Sequence, residues 1–310
     1  MRNRIAKLIE LDGAQDDNVL FLTADLGFSV VEGLQASFGE RFINLGVAEA
    51  NMMSVAASLA ASGFTPFTYS IAPFVTARCL EQIRNDIAYQ KRRVRIVGVG
   101  AGFSYGSLGP SHHALEDAHL LCALPGVIVV NPWSVTELER LYALIARADA
   151  PAYFRIARET GVERPADFDT LETAAYVLRD GADLNLIASG AMVTQALETA
   201  DRLAAGNIEA RVISAPLLAP FPSRHLASLL NAGPVATVFE GYPGHPLAVA
   251  VMELLLAHNG RRRYLDLCAP HAFAARVGNT EALRRYAGLD ADSLARRCAD
   301  LLRAPAALAG

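Results

Sequence analysis

The stretch from Ile43 to Phe67, INLGVAEANMMSVAASLAASGFTPF, holds the pattern that decides the fold. Small apolar residues at helical spacing predict a helix over about residues 48–62, and a β-rich run predicts a strand over Phe64–Tyr69. A helix that leads directly into an apolar strand is the repeating unit of a parallel α/β sheet.

Glu49 is the single formally charged residue between Arg41 and Arg78. Desolvating a lone carboxylate costs several kcal/mol or makes it take up a proton, so charged residues seldom lie in apolar surroundings without a partner. A helix start favours an anion, whereas apolar neighbours favour the protonated acid. Glu49 is therefore either a partly solvated acid at a helix start or an acid kept out of water for its chemistry.

The alternation of helices and strands continues through the first half of the chain. Further predicted strands are Val19–Thr23, Val94–Val99, Val127–Val130 and Ala152–Ile156. Further predicted helices lie at about 75–90, 114–123 and 134–147, and the N-terminal stretch MRNRIAKLIELDG predicts a short amphipathic helix. This alternation indicates βαβ units around a parallel sheet.

A second series of the same kind fills the rest of the chain. Its predicted strands are Leu184–Ala188, Ala210–Ser214, Val235–Phe239 and Tyr264–Leu267, with helices at about 191–205, 223–231, 246–258 and 280–303. The polar, proline-containing segment Glu159–Thr173 separates the two series. The sequence thus predicts an α/β protein of two domains, 1–160 and 174–310, joined by a linker over 161–173. We expect the final residues, APAALAG, to fray.

Composition argues against several classes of protein. A net charge of −4 disfavours nucleic acid as the main partner, and the two basic runs at 91–93 and 261–263 are short enough to be surface charges. The four cysteines lie far apart without a C-x-x-C pair, which is typical of reduced thiols. No apolar run of membrane-spanning length and no signal sequence is evident, so we expect a soluble, cytoplasmic protein without a membrane partner.

A glycine-rich loop, GAGFSYGSLGPSHHALED, runs from Gly100 to Asp117 after a predicted strand. Open α/β sheets bind ligands in the loops at the carboxyl ends of their strands. The loop has no Lys-Ser/Thr pair, so it is not a P-loop, and its glycines do not fit the dinucleotide-binding fingerprint. It is therefore a candidate ligand loop of another kind.

The histidines of this loop raise the question of a metal site. His113, Glu116 and His119 recur every third residue, but on a helix the two histidines would lie on different sides. We therefore expect no metal ligands here, and capping or surface positions explain His113 and His119 better. Ser111 or His112 near a helix start is also compatible with simple capping.

Three stretches together resemble transketolases. INLGVAEANMMSVAASLAASG resembles the segment in which Gly-[Ile/Val]-x-Glu opens a helix, and RCLEQIRNDIAYQKRRVRI resembles the next helix and strand of small, split transketolases. GSLGPSHHALED resembles their Gly-Glu-Asp-Gly-x-[Ser/Thr]-His-Gln loop. The resemblance covers nearly the whole chain. It implies a thiamine diphosphate-binding, pyrimidine-type parallel-sheet domain followed by a transketolase C-terminal-like domain.

The resemblance also implies cofactor-binding residues. In this family the glutamate at the position of Glu49 hydrogen-bonds the aminopyrimidine ring of thiamine diphosphate. A protonated, partly buried acid there promotes the imino tautomer, which removes the thiazolium C2 proton. Phe74 takes the place of the aromatic residue that stacks on the pyrimidine. Plain core packing is the alternative for Phe74, and Phe67 or Tyr69 could take its role.

Substrate-binding residues follow from the same resemblance. His112 matches the histidine that contacts sugar oxygens, and Arg158 matches the arginine that binds the substrate phosphate, with Arg155 assisting. A guanidinium suits this task because its planar fork pairs bidentately with phosphate. Alternatively, Arg158 ends the strand and pairs with Glu159 or Asp167.

One feature of complete transketolases is missing. Their N-terminal domain carries a Gly-Asp-Gly motif that holds Mg²⁺ and the diphosphate, whereas this chain has Asp-Gly only at Asp12-Gly13 and Asp180-Gly181. Because Mg²⁺ needs oxygen ligands on a shaped loop, we expect a partner subunit to hold it. The resemblance implies an N-terminal-type partner in an α₂β₂ heterotetramer, in which this chain also pairs with itself and is inactive alone.

The loop departs from the family at two substrate positions. Leu108 stands where the family has an acid, and Gly100 stands where it has a histidine. Both family residues contact sugar hydroxyls, so each replacement leaves a hydroxyl unpaired at a cost of about 1–3 kcal/mol. With His112 and Arg158 retained, we expect a non-standard, less hydroxylated substrate.

These observations favour a split thiamine diphosphate-dependent transketolase that transfers a two-carbon ketol unit from a ketose phosphate or related donor to an aldehyde. The alternative within thiamine chemistry is a subunit that uses a 2-oxo acid, similar to 1-deoxyxylulose 5-phosphate synthase or to 2-oxo acid dehydrogenase β subunits. A non-catalytic scaffold is the alternative of another class, although a scaffold has no reason to keep Glu49 dry. The C-terminal domain, with Glu240 ending a strand, is interpreted as an assembly domain.

Overall fold

Two β-sheets organise the chain. The computed structural model describes residues 1–27, 30–257 and 262–303, so the predictions for Arg261 and for the tail APAALAG lie outside the described residues. The strands of the first sheet are β1 (Val19–Thr23), β2 (Phe42–Asn44), β3 (Thr65–Ile71), β4 (Arg95–Val99), β5 (Ile128–Val130), β6 (Ala152–Ile156) and β10 (Leu217–Ala219). Those of the second sheet are β7 (Tyr176–Arg179), β8 (Leu184–Ala188), β9 (Ala210–Ser214), β11 (Val235–Val238) and β12 (Tyr264–Leu267).

Both sheets are mainly parallel. The first has the order β10-β5-β6-β4-β3-β1-β2 and is antiparallel only where β10 pairs with β5. The second has the order β12-β11-β8-β9-β7 and is antiparallel only at β7. Strands β3 and β4 are buried along their whole length, as expected for apolar runs covered by helices on both faces. The predicted class, with two α/β domains, is confirmed.

Helices cover the faces of the sheets. They are α1 (Arg2–Gln15), α2 (Glu32–Phe38), α3 (Glu49–Ala61), α4 (Ala72–Val75), α5 (Leu80–Gln82), α6 (Asp117–Cys122), α7 (Val135–Ala146), α8 (Met192–Ala204), α9 (Ser223–Leu229), α10 (Pro246–Ala257), α11 (Thr280–Ala287) and α12 (Ala291–Arg303). In the described part of the chain, no helix has the length and apolar character needed to cross a membrane. Helix α3 buries Met52, Met53, Ala56 and Ala57, which share the face that the apolar pattern predicts.

Two long predicted helices are divided in the structure. The helix predicted at 75–90 is replaced by α4, a 3₁₀ turn at Ala77–Cys79, and α5, which continues as a π-helix over Ile83–Ala88. The helix predicted at 280–303 is α11 and α12, separated where Gly288 adopts φ 69° and ends α11 in the left-handed conformation. Strands β2, β7 and β10 were not predicted.

The interior is shared between the two halves of the chain. One buried cluster contains Leu20 and Met53 from the first half together with Ile187, Leu218 and Phe239 from the second. In addition, β10 lies within the second half but extends the edge of the first sheet. The halves are therefore joined through their cores as well as by the linker.

The cysteines and the first basic run lie where composition predicts. All four cysteines are free thiols, of which Cys79 and Cys298 are buried. Lys91 and Arg93 are exposed, and the Arg93 guanidinium donates to the carbonyl of Ala146 over 2.7 Å.

Candidate functional site

The predicted site residues lie at one edge of the first sheet. Glu49 begins α3 after β2, Phe74 lies in α4 after β3, and Arg158 follows β6. The segment 100–113 after β4, called the site loop below, contains His112. Because the carboxyl ends of parallel strands lie at the same edge, the fold brings these separate stretches of sequence together.

Glu49 is held at the start of α3 with its carboxylate out of water. Asn44 orders the turn that leads into α3. Its side-chain oxygen accepts the backbone N–H groups of Asp25 and Gly46 over 2.9 and 3.0 Å. Gly46 adopts φ 69°, a conformation that glycine reaches without strain. Glu49 is only 1% exposed, and the hydroxyl of Ser70 in β3 donates to its Oε1 over 3.3 Å.

Arg78 gives this carboxylate a charged partner. Its Nη1 donates to Oε2 of Glu49 over 2.5 Å, and its guanidinium carbon lies 4.6 Å from the centre of the Phe74 ring. Glu49, although isolated in the sequence, therefore has a charged partner in the structure, because the turn after α4 returns Arg78 to it. A planar group that carries N–H bonds contacts the carboxylate and the aromatic ring at once.

His112 joins this group through ring contacts. Its ring centre lies 5.1 Å from that of Phe74 in an edge-on arrangement and 6.4 Å from that of Tyr105. The hydroxyl oxygen of Ser111 lies 3.0 Å from Nδ1 of His112. Glu49, Phe74 and His112, which the sequence predicts as one site, are thus linked through Arg78 and the aromatic rings.

Phe67 and Tyr69, the alternatives to Phe74, lie inside the sheet. The Phe67 ring stacks on Tyr142 with centres 6.1 Å apart, and the Tyr69 ring lies 5.8 Å from that of Phe21. Both side chains are almost fully buried, whereas Phe74 is partly exposed next to Arg78. Of the three, Phe74 is the ring placed to stack on a ligand beside Glu49.

Arg158 lies on the other side of Tyr105. Its guanidinium carbon is 5.5 Å from the centre of the Tyr105 ring, and the side chain is exposed. Glu159, one predicted alternative partner, pairs instead with Arg284 at 2.8 Å. Among the described residues Arg158 forms no ion pair, with Asp167 or with any other acid.

Tyr105 and Arg2 are site residues that the sequence analysis did not single out. With Tyr69, they line a cavity of about 190 Å³ beside the site. The phenol oxygen of Tyr69 has no hydrogen-bond partner in the part of the chain that the structure describes. Tyr105 could have been noticed as an aromatic residue within a glycine-rich loop, whereas an N-terminal arginine such as Arg2 carries no such signal.

Gly100 begins the site loop, and Leu108 lies in its second half. Gly100 adopts φ 89°, and a Cβ at this position would overlap the ring of Tyr105. The space that a side chain at position 100 would need is therefore filled by Tyr105. Leu108 is 52% exposed at the end of the 3₁₀ turn Gly106–Leu108.

Arg155 does not belong to this group. It is 2% exposed, and its Nε donates to both carboxylate oxygens of Asp117 over 3.0 and 2.9 Å. Its other nitrogens donate to Asn131 Oδ1 and to the carbonyls of Ala114 and Glu240. A buried guanidinium with all three nitrogens engaged is poorly placed to bind a substrate, so the structure does not support an assisting role for Arg155.

His113 and His119 belong to no group of three potential metal ligands among the described residues. Nε2 of His113 lies 3.4 Å from the carbonyl oxygen of Gly106, and burial lowers the pKa of His113 and that of His119. Over residues 1–27, 30–257 and 262–303, the one group of three potential metal ligands is His245, Asp266 and Cys268, in the second half.

Hydrogen bonding argues against a metal at that second group. Nδ1 of His245 accepts the backbone N–H of Ala248 over 3.1 Å, so Nε2 carries the proton and donates to Asp266 over 2.8 Å. Thr237 also donates to this Asp266 oxygen, over 3.0 Å. A metal on Nε2 would require an imidazole without a proton on either nitrogen, so this is a hydrogen-bonded network.

Two larger cavities lie away from the predicted site residues. One of about 810 Å³ is lined by Tyr89 and Pro125, and one of about 680 Å³ by Phe221 and His225. Neither contains the buried carboxylate and adjacent ring that the predicted chemistry needs. We place the site at Glu49 because chemical groups, rather than volume, converge there.

The groups around Glu49 fit an aminopyrimidine ring. Arg78 shows that a planar group can donate to Oε2 of Glu49 while it lies against the Phe74 ring. An aminopyrimidine has the same two properties, a flat face and N–H bonds in its plane. Glu49 and Phe74 would therefore hold the pyrimidine end of thiamine diphosphate.

Comparisons with known proteins agree with this geometry. The family model for the transketolase pyrimidine-binding domain matches residues 1–161, and that for the transketolase C-terminal domain matches residues 173–294. A solved structure described as a split gene transketolase, inactive beta4 tetramer, has a TM-score of 0.86 and 31% identity, with 97% of each chain covered. 1-Deoxyxylulose 5-phosphate synthases match too, but over less than half of their own length.

Two relatives are subunits of split enzymes. The 6-deoxy-6-sulfo-D-fructose transketolase subunit of Clostridium sp. (strain MSTE9) is 33% identical over 240 residues, which cover 76% of this chain and 74% of that protein. An apulose-4-phosphate transketolase subunit of Phocaeicola vulgatus is 29% identical over 300 residues, which cover 96% of this chain and 95% of that protein. The chain therefore belongs to the transketolase family, a family of thiamine diphosphate-dependent enzymes, and consists of its pyrimidine-binding and C-terminal domains.

Proposed function

We propose that this chain is the pyrimidine-side subunit of a split transketolase that moves a two-carbon ketol unit from a ketose donor to an aldehyde acceptor. The observation that carries the proposal is the series of contacts from the buried Glu49 carboxylate through Arg78 and Phe74 to His112. This series lies at the carboxyl edge of a parallel sheet, where such folds bind their ligands.

Each residue has a defined task in this proposal. Thiamine diphosphate supplies a nucleophilic carbon that adds to the donor carbonyl and an electron sink for the two-carbon fragment. Glu49 exchanges a hydrogen bond and a proton with the pyrimidine ring, and its burial keeps water from competing. Phe74 fixes the plane of the ring by stacking. Arg78 leaves Glu49 when the pyrimidine ring takes its place.

The substrate in this proposal carries an anionic group. Arg158 lies near the Tyr105 ring, Arg2 lines a cavity together with Tyr105, and neither arginine forms an ion pair among the described residues. A guanidinium binds phosphate or sulfonate oxygens well. The relatives named above act on a sulfonated and on a phosphorylated sugar by their names. His112, whose ring lies near those of Phe74 and Tyr105, contacts the oxygens near the reacting carbon atoms in this proposal.

The partner completes the proposed enzyme. The chain has no Gly-Asp-Gly sequence, so a separate N-terminal-type subunit holds Mg²⁺ and the diphosphate. The proposed assembly is an α₂β₂ heterotetramer in which the active sites form across the contacts between subunits. It accounts for a site that lies open at a sheet edge.

A donor half-reaction tests the proposal. The chain is co-purified with the product of its neighbouring gene, supplied with Mg²⁺ and thiamine diphosphate, and given hydroxypyruvate or pyruvate. Glu49→Gln should reduce turnover at least about 100-fold, since it removes the proton-exchanging group. Glu81→Gln is the matched control, because Glu81 is an exposed acid that bonds only Gln82 and Asn85.

Each outcome has a distinct meaning. Consumption of hydroxypyruvate by the complex alone, lost in Glu49→Gln, supports the split transketolase. A preference for pyruvate moves the assignment to 2-oxo acid chemistry of the 1-deoxyxylulose 5-phosphate synthase or dehydrogenase type. Turnover by the partner alone, unchanged by this chain or by Glu49→Gln, makes the chain a scaffold.

A further inference from the structure

The second half of the chain contacts the site loop at several points. The backbone N–H of Gly278 donates to the carbonyl of Gly106 over 3.3 Å, and the hydroxyl of Thr280 donates to the carbonyl of Phe103 over 3.3 Å. Gly102 lies so close to the Glu240 carboxylate that a Cβ there would overlap it. The backbone of the site loop therefore cannot move toward Glu240 at Gly102 unless Glu240 moves as well.

Arg284, in α11, holds Glu240 in place. Its Nε and Nη2 donate to the two carboxylate oxygens of Glu240 over 2.6 and 3.2 Å. Its Nη1 lies 2.8 Å from a carboxylate oxygen of Glu159, which directly follows Arg158. One buried guanidinium thus connects the acid that packs on the site loop with the residue beside Arg158.

The chemistry of this contact requires arginine. A planar fork can bond two carboxylates at once, whereas a lysine offers a single point charge. Burial lowers the pKa of Arg284, but the carboxylates of Glu240 and Glu159 outweigh burial and leave the pKa above its ordinary value. Removing one partner of such a buried group leaves an uncompensated charge, so the three residues move as a unit.

Arg155 supplies a second connection of the same kind. Its Nη2 donates to the carbonyl of Ala114, directly after the site loop, over 2.7 Å and to the carbonyl of Glu240 over 3.1 Å. Two parts of the loop region therefore contact Glu240. Gly102 packs against its carboxylate, and Ala114 is linked through Arg155 to its backbone carbonyl.

We propose that Arg284 is a positioning residue of the active site, which through Glu240 and Glu159 holds His112 and Arg158 in a fixed relation to each other. The inference rests on the proposed function only for the roles of His112 and Arg158. It gives the C-terminal domain a part in the site, beyond the assembly role that the sequence suggested.

Hydrogen exchange of the chain tests the connection without any enzymatic activity. In Arg284→Met, backbone amides of residues 100–113 should exchange at least about tenfold faster, because the buried clamp on the loop is lost. Arg285→Met is the matched control, since Arg285 is an exposed neighbour on α11 that pairs only with Glu281. The double variant Glu240→Gln/Arg284→Met removes both buried charges, so it separates loss of the clamp from the penalty of an unpaired carboxylate.

Kinetics of the complex test the consequence. Arg284→Met should raise KM for a phosphorylated or sulfonated ketose donor about tenfold or more. It should change KM little for hydroxypyruvate, which lacks the phosphate or sulfonate group, and Arg284→Lys should restore part of the loss. Unchanged exchange over residues 100–113 in both Arg284→Met and the double variant would overturn the inference. So would an equal acceleration over the entire chain, which indicates general destabilisation. If the exchange result holds while the wild-type complex shows no transfer activity, the proposed function fails and the connection stands.

Discussion

Arg78 occupies the position that the cofactor ring needs. Its guanidinium bonds the Glu49 carboxylate and lies against Phe74, so the same two surfaces serve an internal and an external ligand. The Arg78 side chain is 45% exposed, whereas the Glu49 side chain is 1% exposed, so loss of Arg78 alone would leave a buried carboxylate unpaired. The arginine can therefore leave only as another donor takes over its hydrogen bond.

Replacement of Arg78 by an uncharged residue should strengthen cofactor binding. In Arg78→Met, we expect the Kd of the complex for thiamine diphosphate to fall at least about threefold, because the cofactor no longer has to displace an ion pair from the buried Glu49 carboxylate. Isothermal titration of the complex in the presence of Mg²⁺ measures this. Arg84→Met is the control, because Arg84 is an exposed arginine that bonds only Asn85. Weaker binding in Arg78→Met would mean that Arg78 contacts the cofactor instead of competing with it.

Gly100 should tolerate no side chain. Alanine at this position would combine the strain of φ 89° with overlap of the Tyr105 ring. We expect Gly100→Ala to lower the free energy of unfolding by about 2–4 kcal/mol. Gly126→Ala isolates the backbone contribution, since Gly126 has φ 80° but no atom near the new methyl group, and should cost about 1 kcal/mol. Urea unfolding compares the two variants. Equal losses in the free energy of unfolding would show that the Tyr105 ring moves aside without cost.

At the scale of elements, Glu137 joins helix α7 to the second sheet. The backbone N–H of Trp133 donates to its carboxylate over 2.8 Å, and the hydroxyl of Ser214 in β9 donates to the other oxygen over 2.5 Å. Glu137 is fully buried, and burial, opposed by these hydrogen bonds, raises its pKa from 4.5 to about 7. An acid therefore lies between the two halves of the chain.

This carboxyl should make stability depend on pH. Between pH 4.5 and about 7 the folded chain keeps a proton on Glu137 that the unfolded chain has released, so stability falls as pH rises through this window. The loss totals about 3 kcal/mol and is complete above pH 7. Relative to Glu137→Gln, the wild type should lose this amount between pH 4.5 and 8, measured by denaturant unfolding at each pH. Glu139→Gln, which alters a half-exposed acid paired with Arg4, should keep the wild-type pH dependence. Parallel curves for Glu137→Gln and the wild type would contradict the assignment.

Regular elements were predictable where the pattern was local. Strands such as Val19–Thr23 and Ala152–Ile156 were predicted to the residue, because an apolar run between polar turns identifies a buried strand. Strand β10 was missed, because its three residues are recognisable only through pairing with β5. The long helix predicted at 280–303 ignored Gly288, whose left-handed conformation ends α11.

The site was predictable in its members but not in their partners. Glu49 stood out by its isolation among apolar residues, and the motif around His112 identified the loop. Arg78 and Tyr105 were missed, because their contacts depend on turns that bring distant residues together. Arg155 was misread, since a sequence cannot show that Asp117 and two carbonyls already occupy its donors.

At the scale of the whole molecule, the loop composition bears on substrate choice. Leu108 and Gly100 offer no hydrogen bond, and the Tyr105 ring fills the space beside Gly100. We expect the complex to use xylulose 5-phosphate with ribose 5-phosphate at least about tenfold less efficiently than a ketose phosphate that lacks one of the hydroxyls. Values of kcat/KM for the donors, each compared with hydroxypyruvate, test this. Ordinary efficiency with xylulose 5-phosphate and ribose 5-phosphate would contradict the expectation of a less hydroxylated substrate.

Strand β10 decides where the gene for this enzyme can be divided. It is encoded after the linker, yet it completes the edge of the sheet that holds Glu49, and the residues that surround it belong to a core built from both halves. A reading frame that stopped at the linker would leave β5 as an open edge ready to pair with other chains. A break at the linker would produce two fragments that each contain only part of the shared hydrophobic core.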